Sequence, residues 1–404
     1  MARRYVELCR RFGDSSTSIE VSTVSASDGG AFDSGERYPI HRQRFSFDEA
    51  NRFGNQIRWG AWLDRHCRNR IDVIHCGNMR PTGYAVTWPS IHSGIPYLLY
   101  VNGGDLLRER LKSEKNLLKR AVSRRILGGA AGIVAISTWS AELVGEVMDS
   151  IGVENIPPIG AFDLGTDPAY FQASMNTGLL RARWGVGNAP LLITVARLVP
   201  HKGQDFAIRA LAALRDEFPG LHYLMVGTGH DEQRLRTLAH ELGVADRVIF
   251  AGTLSDDELR EAYATSTIYV GLSRVDREIN VEGFGISFVE AAASGVPSVA
   301  GDSGGVRSAV RDGETGIVVP PADVPAITAA IASLLRDESR RQTMGRAARQ
   351  AVETHYNWDR VARDTREFTY SVVGERKYPQ NPQNPPNPPN PVNPPNPVNP
   401  PNRS

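Results

Sequence analysis

Cysteine is scarce in this chain: only Cys9, Cys67 and Cys76 occur in 404 residues. Three is too few, and too odd a number, for a disulfide framework, so a reducing compartment is expected. Long apolar runs are also missing, and no stretch approaches the ~20 residues that a membrane-spanning helix needs. No apolar segment follows the basic start Met1-Ala2-Arg3-Arg4 as it would in a secretory leader, so a cytoplasmic location is expected. An excess of one charge is absent too, with 46 Lys and Arg against 45 Asp and Glu. That balance argues against a nucleic-acid partner, which selects for a basic excess.

What is present is alternation. Residues 2–12 pattern as the later part of an amphipathic helix, 19–24 as a strand, 49–68 as a helix, and 71–75 as a short buried strand. A second apolar run covers 95–101 and closes on Asn102-Gly103-Gly104-Asp105; 105–127 is helical in character, and 132–137 is again a strand. The pattern restarts after residue 188. Strands are expected at 191–196, 221–226, 247–250, 268–271 and 298–300, separated by helices at 205–218, 234–242, 256–265 and one opening at 288. Strands alternating with helices predict parallel sheets and an α/β fold. The expected units are 1–170, 171–345 and terminal helices over 346–377 that pack back across the junction. The tail 378–404 is almost entirely Asn and Pro. It is expected to be extended and partly polyproline II, with no core of its own.

The densest chemistry lies in 278–305, EINVEGFGISFVEAAASGVPSVAGDSGG. Gly283 and Gly285 bracket Phe284 and let backbone approach an anion closely. Ile286 and Ser287 begin a helix whose free N–H groups would face that anion. Glu290, further along this helix, can grip vicinal hydroxyls such as those of a ribose. Glu282 precedes the glycines and would approach from another side. Amides for phosphate and two acids for sugars suit a nucleoside-diphosphate sugar. Arg197 and Lys202 follow the strand 191–196, where a fork and a mobile point charge would neutralise a diphosphate. Gly227-Thr228-Gly229, the loop 301–305 and the turn 314–316 read as pocket wall or as scaffold.

Glu282 and Glu290, eight positions apart in EGFGISFVE, resemble the paired-glutamate signature of glycosyltransferase family four. Arg197 and Lys202 fall where that family places its basic pair, and Asp302-Ser303-Gly304-Gly305 followed by Gly313-Glu314-Thr315-Gly316 is similar again. The resemblance covers about 70–365. It implies a GT-B fold, with two Rossmann-like domains facing across a cleft. It further implies a retaining, metal-independent transfer of a hexose, mannose or glucose, from a nucleoside-diphosphate sugar to a saccharide or lipid-linked acceptor, with no cofactor. Glu290 would hold the ribose, Glu282 the donor sugar, Arg197 and Lys202 the diphosphate, and the backbone of Phe284, Gly285, Ile286 and Ser287 the sugar and phosphate. Gly227 would belong to the nucleotide pocket. The wording of 281–305 is similar to bacterial mannosyltransferases that act on phosphatidylinositol lipids.

Two departures stand out. The family pattern opens with a strand and a glycine loop, whereas this chain opens inside a helix-like segment; a gap or an open sheet edge in the first domain is expected. Where the family has a histidine before a glycine, Asn102 precedes Gly103. Asn can position a sugar hydroxyl but cannot exchange a proton near neutral pH.

Other features are plainer. Residues 108–125 hold eight basic and two acidic side chains with Leu107, Leu111 and Leu118 at near-helical spacing. Such a helix can lie on an anionic membrane or be an ordinary solvated helix. His75 reads as a packed histidine and Ser137 as a helix cap. A metal site built from His66, Cys67, His75 and Cys76 matches no zinc spacing, so none is expected. Two other readings remain for the chain as a whole: a nucleotide-sugar epimerase on the same fold, or a nucleotide-sugar-binding protein without transferase activity.

Overall fold

A computed structural model describes residues 2–13, 17–24, 29–44, 52–276 and 279–374. The Asn/Pro tail 378–404 and Glu278 lie outside these residues.

β1 (Val21–Val24) and β2 (Ile40–Gln43) form a parallel pair of their own. β3 (Ile74–Cys76), β4 (Tyr97–Val101), β5 (Gly132–Ala135) and β6 (Ile159–Ala161) form a second parallel sheet in that order. The third contains β7 (Leu191–Val195), β8 (His222–Val226), β9 (Val248–Gly252), β10 (Ile268–Gly271), β11 (Ser298–Gly301) and β12 (Gly316–Val319), in the order β12-β11-β10-β7-β8-β9. Every residue of β4, β5, β10 and β11 is buried. Parallel strands covered on both faces read as continuous apolar runs, which is why these were visible as such. Among the described residues, β1–β2 has no ladder to β3–β6, so the first half holds two sheets where the family pattern implies one.

The order of the third sheet positions the site. The chain builds outward from β7 to β9, then returns to lay β10 on the other side of β7. At that reversal the connections leave in opposite directions, and a crevice opens at the C-terminal strand ends. The loops leaving β7 and β10 carry Arg197, Lys202 and Glu282.

One core cluster joins the halves, with Leu98, Tyr100 and Val134 in the same packing as Phe284, Phe288 and Trp358. The helix Trp358–Val373 returns to the first half, where Phe368 lies 5.4 Å from Phe162 and Asp359 accepts from Arg11 of the helix Ala2–Phe12 at 2.6 Å.

The basic stretch 108–125 departs from expectation. It is two helices, Gly104–Lys115 and Leu117–Gly128, separated by Asn116. Asn116 is extended, and its side chain accepts from the Lys119 N–H at 3.0 Å, capping the second helix. Leu107 is buried while Leu118 faces solvent, so the leucines share no common face.

His75 is packed inside the first half. Its Nδ1 lies 2.7 Å from the Tyr100 hydroxyl and its Nε2 3.4 Å from Thr369 Oγ1. Burial lowers its pKa from 6.5 to about 4. The unfolded chain therefore takes the proton first as pH falls. The stability this neutral ring contributes is present above about pH 6.5 and is lost toward pH 4. The loss amounts to about 3 kcal/mol. Urea unfolding at pH 7 and pH 4.5 will show a smaller fall for His75→Gln than for the parent chain; equal falls would show that another group titrates.

Candidate active site

The glutamate loop is built from the end of β10. Lys202 Nζ lies 2.5 Å from Glu282 Oε2, and Ser273 Oγ donates to the same oxygen at 3.1 Å. The pair is half-buried. Sequence reasoning assigned Lys202 to the diphosphate and Glu282 to the sugar; the structure joins them directly.

Glu290 stands on the helix Ile286–Ala293, and Tyr263 donates its hydroxyl to Glu290 Oε2 at 2.9 Å. Gly285 caps the helix in the left-handed region at φ 92°, which favours glycine. The Phe284 ring is buried in the core. Ser287 Oγ meets the Tyr269 hydroxyl at 2.6 Å. Arg197 is exposed at the mouth, with its carbonyl accepting from Gln204 Nε2 at 3.0 Å. His201, between the two basic residues, has its pKa lowered by burial first and by Lys202 and Arg197 next.

Part of the glycine pattern serves packing. A Cβ on Gly305 would lie 2.0 Å from the Gly283 carbonyl oxygen, and one on Gly283 would lie 2.4 Å from that of Asn102. The Gly305 N–H donates to Glu282 O at 2.8 Å, and Ser137 Oγ donates to Gly283 O at 2.7 Å. Loop 301–305 is thus scaffold for the glutamate loop. Ser137 caps the helix Thr138–Ile151 and also reaches across to it. Gly227 follows β8, and its N–H donates to Gly252 O at 2.7 Å.

The Gly283 contact sets Asn102 beside the donor loop. Asn102 donates its backbone N–H to Asp105 Oδ1 at 3.0 Å, and burial raises the Asp105 pKa. Arg4 is buried nearby, its guanidinium carbon 4.6 Å from the Tyr100 ring centroid, and its side-chain nitrogens have no hydrogen-bond partner among the described residues. Burial lowers the Arg4 pKa against the opposing pull of neighbours that include Asp105. Tyr5, from the same helix, donates to the Gly77 carbonyl. Sequence reading singled out neither Arg4 nor Tyr263 nor Ser273. A tyrosine inside a helix reads as core, so only Ser273, just past a switch-point strand, carried any signal.

Two family models match the chain. Residues 1–153 match "Glycosyltransferase Family 4", and residues 179–351 match "Glycosyl transferases group 1". A GDP-mannose-dependent alpha-(1-6)-phosphatidylinositol monomannoside mannosyltransferase of Mycobacterium tuberculosis is 35% identical over 252 residues, 62% of this chain and 64% of that protein. The protein of the same name from Mycolicibacterium smegmatis is 36% identical over 242 residues, covering 59% and 62%. The match thus spans less than two thirds of the length of these relatives. Among solved structures, Anabaena HepE in complex with UDP superposes with a TM-score of 0.74 at 20% identity, covering 91% of this chain and 95% of that one. WaaG, a glycosyltransferase involved in lipopolysaccharide biosynthesis, superposes at 0.64 and 16% identity with the same coverage. The architecture is therefore GT-B, with a first part that matches the family-four glycosyltransferase model and a second part that matches the group 1 model.

Proposed function

We propose that this protein moves a hexose from a nucleoside-diphosphate sugar to a hydroxyl of a saccharide or lipid-linked acceptor, with retention of configuration and without a metal or cofactor. The observation that carries this reading is the Lys202–Glu282 contact at the switch point of the third sheet, with Glu290 on the next helix. Glu290 holds the ribose, and the amides opening its helix face phosphate. Lys202 and Arg197 stabilise the charge that develops on the departing diphosphate. The bond from the anomeric carbon to phosphate oxygen breaks, and the bond to the acceptor oxygen forms. The acceptor's proton passes to the leaving phosphate, so Asn102 need only position the sugar.

The names of the mycobacterial relatives favour mannose from GDP-mannose and a phosphatidylinositol mannoside acceptor. Incubation with each of GDP-mannose and UDP-glucose and that acceptor, followed by NMR of the anomeric carbon, tests this. An α-linked product from the α-linked donor is expected. An epimerised nucleotide sugar would favour the epimerase reading, and binding without product would favour the binding-protein reading.

The lipid acceptor extends to a membrane contact at the break between the two basic helices. Leu117 and Leu118 are 81% and 74% exposed, and Lys112, Lys115 and Lys119 stand beside them in the chain. Two leucines entering the interface, with cations among anionic headgroups, give a peripheral anchor. Co-sedimentation with phosphatidylglycerol vesicles will fall by about tenfold or more for Leu117→Asp/Leu118→Asp, since each buried leucine is worth about 1.5–3 kcal/mol. Unchanged sedimentation would place the contact elsewhere.

A further inference from the structure

We propose that Glu20, His41 and His66 form a binding site for a divalent transition metal, zinc in particular, apart from the sugar-transfer crevice. The three residues come from three elements. Glu20 directly precedes β1, His41 lies in β2 opposite Ser22, and His66 sits in the last turn of the helix Arg52–Cys67. Both imidazoles direct Nε2 at one oxygen, Glu20 Oε2, at 3.0 Å from His41 and 2.7 Å from His66. The three ligand atoms all lie within 4.8 Å of one another. Zinc bonds of about 2.0–2.2 Å in a tetrahedron put ligand atoms about 3.3–3.6 Å apart, so small side-chain shifts admit the ion.

The surroundings orient the ligands. Arg70 Nη2 holds the other carboxylate oxygen, Oε1, at 2.8 Å, which leaves Oε2 to the two rings. Trp62 stacks on His66 with centroids 4.4 Å apart and planes 12° from parallel, fixing that ring. The His41 ring meets the His66 ring edge-on at 4.6 Å. A hollow of about 430 Å³ borders Trp62, Arg65, His66 and Arg70, giving the ion a route and room for a solvent molecule as fourth ligand. Two imidazoles and a carboxylate, with no thiolate among them, suit zinc chemistry. Cys67 is not in the cluster: its side chain packs into the buried core of the first half. Cys76 is also spent, with its thiol donating to Asn78 O at 3.3 Å and to Thr82 Oγ1 at 3.2 Å. The metal would tie the β1–β2 pair to the helix Arg52–Cys67, a structural role independent of whether sugar transfer occurs.

The test is calorimetric titration of the full chain, stripped by chelator, with ZnCl₂, paralleled by CoCl₂ titration followed by absorption. One equivalent of zinc, visible cobalt bands of a four-coordinate site and a raised melting temperature are expected. His41→Gln and His66→Gln should each lower affinity at least tenfold, while Cys67→Ser leaves it unchanged. No zinc uptake by the parent chain, uptake by the histidine variants with the parent chain's affinity, or uptake lost in Cys67→Ser would each overturn the site. Should the histidine variants not fold, X-ray absorption of the zinc-loaded parent chain decides: two imidazoles with oxygen support the site, and sulfur or a single imidazole overturns it.

Discussion

Replacing Glu290 by alanine will lower kcat/KM for the nucleotide sugar by about a hundredfold to a thousandfold. The helix Ile286–Ala293 carries this carboxylate at the donor crevice, and the Tyr263 hydroxyl orients it at 2.9 Å. Two solvent-accessible hydrogen bonds from ribose hydroxyls to a carboxylate sit at the low end for charged groups, about 1.5–2 kcal/mol each, and losing both removes roughly 3–4 kcal/mol. At about 1.4 kcal/mol per factor of ten, that is the stated range. The ribose is remote from the bond being broken, so the loss should fall mainly on KM. Tyr263→Phe leaves the carboxylate in place but less fixed, and a smaller loss is expected. Initial rates across donor concentration measure both. A Glu290→Ala chain with parental KM would remove this residue from the donor site.

Lys202→Met should act differently, lowering kcat by about a hundredfold to a thousandfold. A cation placed where charge grows on the leaving diphosphate acts in the transition state, and the loss of one such group costs about 2.7–4 kcal/mol. The substitution also deprives Glu282 of its partner at 2.5 Å, leaving only the Ser273 hydroxyl among the contacts to that oxygen described above. An uncompensated half-buried carboxylate weakens the fold as well as the chemistry. The double variant Lys202→Met/Glu282→Gln separates the two. Its melting temperature should recover toward that of the parent chain while kcat stays low. Recovery of kcat in the double variant would show that Lys202 serves only to neutralise Glu282.

Much of the second half was legible because its strands are short apolar runs between polar stops. The run at 191–196 reads as a strand, and the structure brings the loops after it and after 268–271 together because the strand order reverses between them. The direct Lys202–Glu282 contact was not legible, because the residues are eighty positions apart and no local spacing encodes it. Glycines were half-legible. A missing Cβ signals close approach, but sequence does not say to what. At Gly283 and Gly305 the approaching group is protein backbone. The helix Thr82–His92 escaped notice because Pro89 interrupts it and its faces lack an amphipathic pattern. The single helix expected over 108–125 failed at Asn116, which prefers to cap. The Glu20–His41–His66 cluster had no signal at all, since its members sit on separate elements and β2 was not foreseen as a strand.

The measurement that bears most directly on the account is nucleotide release from a panel of UDP-, GDP- and ADP-sugars in the presence of bacterial lipid extract, for the parent chain and for Glu290→Ala. The account predicts acceptor-dependent release from one donor, strongly reduced in the variant at subsaturating donor. Release that ignores the acceptor, or that survives unchanged in Glu290→Ala, would contradict it.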